Sequence, residues 1–118
     1  MDRARAEQRI RGEHADVTRL VGALSVELDE IVESMSLSNN DDEHDPDGAT
    51  NGYERAKATA LLRRAKERVV ELDGALERLR VGTYGRCLRC GGEVGSERLD
   101  ALIAATCCRP CAAEGSPR

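Results

Sequence analysis

Cys87, Cys90, Cys108 and Cys111 stand in a C-x2-C-x17-C-x2-C arrangement, and no other feature restricts the fold of this chain as strongly. A C-x2-C pair places two sulfurs on one tight turn. Two such turns, brought together, make the tetrahedral four-sulfur cage that a structural Zn²⁺ prefers. The expectation is one zinc per chain, held by Cys87, Cys90, Cys108 and Cys111. Four thiolates leave no coordination position for water, so the metal is expected to hold structure and not to do chemistry. Disulfides in a secreted chain are the competing use of paired cysteines. The sequence shows no leader with a charged n-region and an apolar h-region, so free thiols in a cytoplasmic setting are expected.

Cys107 directly precedes Cys108 and is the alternative third ligand. Cys108 reproduces the tight spacing of Cys87-Leu88-Arg89-Cys90 and is therefore the expected one. Cys107 is then a small apolar residue packed beneath the finger.

The remainder of the chain has little with which to build a large core. Its 118 residues include no Phe, no Trp and two Tyr, while 34% are charged. Aromatic side chains supply much of the buried area of compact domains. A composition rich in Ala, Arg, Glu, Leu and Val belongs instead to long helices and coiled coils. No apolar run is long enough to cross a membrane. A formal net charge of −4 argues against binding nucleic acid by phosphate neutralisation, and no sequence-specific DNA binding is expected.

Two apolar seams carry the helices. Ile10, His14, Val17, Val21, Leu24, Leu28, Ile31 and Met35 alternate in steps of four and three, as do Ala58, Leu62, Ala65, Val69, Leu72, Leu76 and Leu79. Gly12, Gly22 and Gly74 fall outside the seams. Asn51 with Glu54 reads as a capping box for the second helix, and Gly82 as the residue just past its end. Helices of about 35 and 28 residues would measure roughly 50 and 40 Å. Neither buries its stripe alone, so the two should fold back on each other. The fold class expected is mostly α: a long antiparallel coiled-coil hairpin over residues 1–80, then a small four-cysteine zinc finger with a short tail over 81–118.

Residues 38–50 form the link, rich in turn formers and carrying Asp41, Asp42, Glu43, Asp45 and Asp47. The spacing is not that of a calcium-binding loop, and no intrinsic metal site is expected there. The hairpin therefore carries an acidic tip.

The stretch Gly82-Thr83-Tyr84-Gly85-Arg86-Cys87-Leu88-Arg89-Cys90-Gly91 closely resembles the start of the finger in the DksA/TraR family. So do Glu97-Arg98-Leu99-Asp100-Ala101-Leu102 and Ala105-Thr106-Cys107-Cys108-Arg109-Pro110-Cys111. The resemblance covers roughly residues 45–112, and the first helix in pattern only. These are bacterial transcription regulators that bind RNA polymerase and not DNA. The resemblance implies a hairpin inserted into the polymerase secondary channel, with its tip near the catalytic Mg²⁺. Asp45-Pro46-Asp47-Gly48-Ala49-Thr50 supplies the tip motif, one residue tighter between Pro and the second Asp. By this match Asp45, Asp47 and Ala49 are the functional tip residues. Leu102 and Ala112 stand where alarmone-responsive members carry basic residues, so little or no response to (p)ppGpp is expected.

A zinc-finger DNA binder and a coiled-coil interaction module are the alternatives to a polymerase-binding regulator. The finger's Arg86, Arg89, Arg98, Arg109 and Arg118 are balanced by Glu93, Glu97, Asp100 and Glu114, which disfavours the first. An enzyme is not expected: the cage is closed and no nucleophile stands beside a base.

Overall fold

The computed structural model describes residues 2–38 and 46–115, with side chains for 2–37 and 50–115. Two helices of 36 residues dominate: α1 over Arg3–Ser38 and α2 over Pro46–Val81. Two short helices follow, α3 over Ser96–Ala101 and α4 over Arg109–Ala113. Among the described residues no strand forms; Arg86 and Glu93 make an isolated antiparallel bridge. The long helices pack as an antiparallel hairpin, and the four cysteines cluster in the C-terminal part of the chain.

By its internal packing the chain divides into two units. One joins Met1–Ala15 to Val70–Arg118; the other is Asp16–Val69. In the second unit the buried side chains are those of Leu24, Ala58 and Ala65, flanked by half-buried Val17, Val21, Leu28, Ile31, Met35, Leu62 and Val69. This is the seam read from the four-and-three spacing. Each position is covered because it faces the partner helix, and most residues between stay exposed.

In the first unit the buried stripe is wider. Ile10, Leu72 and Leu79 lie on the seam, but Ala6 and Ala75 beside it are also fully buried, at 0% exposure. A pair of helices leaves its flanks open to water. Ala6 and Ala75 both lie in the unit that also contains the finger residues. Ile103 is buried in the same unit. Leu72→Ala should therefore lower stability by about 2–4 kcal/mol, as expected for a fully buried leucine. Half-buried Leu76→Ala should cost less, and urea denaturation followed by helical circular dichroism checks the ranking.

Helix α2 begins earlier than the capping-box reading of Asn51 and Glu54 implies. Pro46 is its first residue, which places Asn51 inside the helix. Proline is favoured at a first helical position because its missing N–H has no partner there anyway. Gly82 ends α2 as expected, with φ of 88°. The N–H groups of Gly82, Thr83 and Tyr84 all donate to the Arg78 carbonyl, at 2.9, 2.8 and 3.1 Å. A residue with a Cβ is strained at that φ, so the turn into the finger depends on glycine.

Candidate metal centre

The first cysteine pair sits on a backbone turn closed by glycines. Cys87 donates its N–H to the Gly92 carbonyl at 2.7 Å, and Gly91 donates back to the Cys87 carbonyl at 3.0 Å. Gly91 takes a φ of 78° to allow this. The turn aims amides at sulfur: Arg89 and Cys90 N–H point to Cys87 Sγ at 3.4 and 3.5 Å, and Gly92 N–H to Cys90 Sγ at 3.4 Å. Amides placed this way stabilise sulfur as thiolate.

The second pair uses a helix start. Cys108 is the N-cap of α4, with Pro110 in the first turn, and Cys111 lies three residues on. Three residues on a helix return to nearly the same face, so both sulfurs point one way. Leu88 N–H donates to the Thr106 carbonyl at 2.8 Å, which ties the two turns together.

The result is a quartet. One Sγ from each of Cys87, Cys90, Cys108 and Cys111 lies within 4.8 Å of the others. Cys90 and Cys108 sulfurs are 3.8 Å apart, far beyond a disulfide bond length. With metal–sulfur bonds of about 2.3 Å, a tetrahedron has edges of about 3.8 Å, so the spacing suits a thiolate-bound ion of zinc's size. The backbone amide of Cys90, followed by that of Cys108, lowers the Cys87 thiol to about 5. The Cys108 thiol beside it, together with burial, pushes Cys111 up. Four sulfurs this close cannot all ionise without a cation among them, because like charges repel. The cluster can hold a metal ion.

Cys107 is elsewhere. It is buried in the interior of the finger with Cys87, Val94, Leu99 and Cys111, and Tyr84 and Ala105 pack against that group. Its backbone carbonyl accepts a hydrogen bond from Arg98 Nε at 2.9 Å. The sulfur that joins the quartet is that of Cys108.

Of the tip residues expected from sequence, Asp45 lies outside the described residues. Asp47 and Ala49 fall in the first turn of α2, and their side chains are outside the description too.

Among solved structures, the transcription factor DksA2 of Pseudomonas aeruginosa matches 97% of this chain and 84% of its own, with a TM-score of 0.77 and 26% identity. The chain is DksA-like. A stretch of 65 residues in this DksA-like chain is 42% identical to YteA, an uncharacterised protein of Bacillus subtilis. A stretch of 44 residues is 48% identical to an uncharacterised protein of Aquifex aeolicus. The matched stretches span 27% and 30% of those two relatives. No protein-family model matches the chain.

Three side chains that reach into the finger were given no role by the sequence, although Tyr84 lies in the resembling stretch. Arg9, Arg78 and Tyr84 each reach a backbone carbonyl between residues 100 and 104. Their partners are main-chain groups, which no residue pattern marks.

Proposed function

We propose that the chain is a transcription regulator, not an enzyme, that acts on RNA polymerase through its secondary channel. The likeness to DksA2 over 97% of the chain, with a four-sulfur cluster in the finger, carries this reading. Cys87, Cys90, Cys108 and Cys111 would hold one structural Zn²⁺. It supplies no reaction there; it fixes the two turns of the finger, while the chain's own amides and packing orient the sulfurs. Residues 1–80 serve as the hairpin, with the acidic tip in 38–50 delivering the effect through Asp45, Asp47 and Ala49. Residues 81–118 serve as the finger and tail. The site of action is the cytoplasm, and no helix among the described residues is long and apolar enough to cross a membrane.

Co-purification with core RNA polymerase tests this, combined with displacement by another secondary-channel factor. Retention without displacement would place the chain on another polymerase surface, and no retention would sink the reading. A gel shift on promoter DNA alone should show no complex.

A response to (p)ppGpp is not expected. The alarmone is densely anionic and needs several cationic partners. Leu102 and Ala112 are both exposed and offer none. In vitro transcription on a polymerase lacking its own alarmone site should give the same factor effect with and without (p)ppGpp. Leu102→Arg with Ala112→Lys should create a response, and a strong response in the parent chain would overturn the expectation.

A further inference from the structure

Three side chains of the finger-bearing unit close on one short segment, Asp100 to Ala104, which leads from α3 to the second cysteine pair. Arg9, on α1, donates from Nη2 to the Asp100 carbonyl at 3.0 Å, and its Nη1 lies 3.8 Å from the Asp100 carboxylate. Tyr84, just past α2, donates its O–H to the Ile103 carbonyl at 2.7 Å. Arg78, on α2, reaches the Ala104 carbonyl with Nη2 at 3.5 Å. Arg78 and Tyr84 are only partly exposed, and loss of water around them lowers the Arg78 pKa and raises that of Tyr84. Ile103, in the middle of the gripped segment, is 4% exposed.

Beyond this grip the chain passes straight to the sulfurs. The Thr106 carbonyl accepts the Leu88 N–H of the first turn, the Cys107 carbonyl accepts Arg98 Nε, and Cys108 follows. The segment is thus held by the helices on one side and by the metal ligands on the other. Gly74 leaves room for the grip, since a Cβ there would lie 3.3 Å from Arg78 Nη1.

We propose that Arg9, Arg78 and Tyr84 are positioning residues that couple metal binding in the finger to the pairing of α1 and α2 in the same unit. Metal loss then loosens residues 3–15 and 70–81, and weakening the grip releases the metal, because coupling between two sites is reciprocal. Hydrogen bonds from charged or partly buried donors stabilise more than exposed ones, so three of them on five residues give a measurable coupling. The inference rests on the zinc reading and makes no use of the polymerase.

The test uses the full chain, zinc-loaded and chelator-stripped, followed by backbone hydrogen exchange and by the rate of zinc transfer to a chromogenic chelator. Stripping should raise exchange in residues 3–15 and 70–81 as well as in the finger. Tyr84→Phe with Arg9→Gln should speed zinc transfer about tenfold, although neither residue is a ligand. Arg9→Lys should restore part of the parent rate, and Lys57→Gln in the other unit should leave it unchanged. The double substitution should also raise helix exchange more in loaded than in stripped protein. A purely structural role would raise it equally in both. Equal effects, an exchange change confined to residues 85–115, or a parent rate of zinc transfer would each overturn the proposal. If the parent chain binds no zinc, the zinc reading falls and takes this inference with it.

Discussion

Cys108→Ser is expected to abolish stoichiometric zinc binding, while Cys107→Ser keeps one zinc per chain. The two residues are neighbours of the same type, and geometry separates them. Cys108 sulfur stands 3.8 Å from Cys90 sulfur within the quartet, whereas Cys107 is packed in the finger interior at 4% exposure. Serine at 108 removes a thiolate and leaves a three-sulfur site open to water. Much of the finger's folding free energy is expected to be metal-binding free energy, so its fold should fail with the site. Serine at 107 places a hydroxyl in the finger interior, where Thr106 Oγ1 lies 3.9 Å from the present sulfur, and should cost about 1–3 kcal/mol while removing no ligand. Native mass spectrometry gives the stoichiometry, and thermal unfolding with and without chelator gives the stability. The reverse ranking would make Cys107 the third ligand.

Asp47→Asn or Ala49→Thr is expected to abolish the transcriptional effect while polymerase affinity and helix content stay at parent values. Both positions lie in the first turn of α2. A first-turn carboxylate contributes about 0.3–1 kcal/mol through the helix dipole, too little for its loss to unfold a 36-residue helix. Any large loss of activity would then report on what the tip does at its target. Promoter transcription assays beside an equilibrium binding measurement separate the two. Binding lost in step with activity would show that the tip is a docking surface.

Helix pairing was legible because it follows from periodicity. Every seam residue from Ile10 to Met35 and from Ala58 to Leu79 is buried or half-buried. The burial of Ala6 and Ala75 was not legible. Both lie beside the four-and-three seam and not on it, and alanine carries no signal of what will cover it. The start of α2 was misread because Asn51 and Glu54 imitate a cap, whereas Pro46 followed by Asp47 is the stronger start signal. The cysteine quartet was legible in its spacing alone. Choosing between Cys107 and Cys108 needed only the rule that equal turns have equal spacing. The grip of Arg9, Arg78 and Tyr84 was hidden for the reason given by its chemistry: arginine and tyrosine were visible, but the carbonyls they hold were not.

Gly74 has a meaning for anyone who would make this chain more heat-resistant. Replacing helical glycine by alanine is a standard route, worth about 1 kcal/mol where the added methyl meets nothing. Gly12 and Gly22 are such places, with no atom within 4 Å of an added Cβ. Gly74 is on a helix of the same length and looks equivalent by propensity, yet its methyl would press on Arg78 Nη1. There the tip of Arg78, the side chain that holds Ala104, must give way by a few tenths of an ångström, which an added methyl at Gly12 or Gly22 asks of nothing.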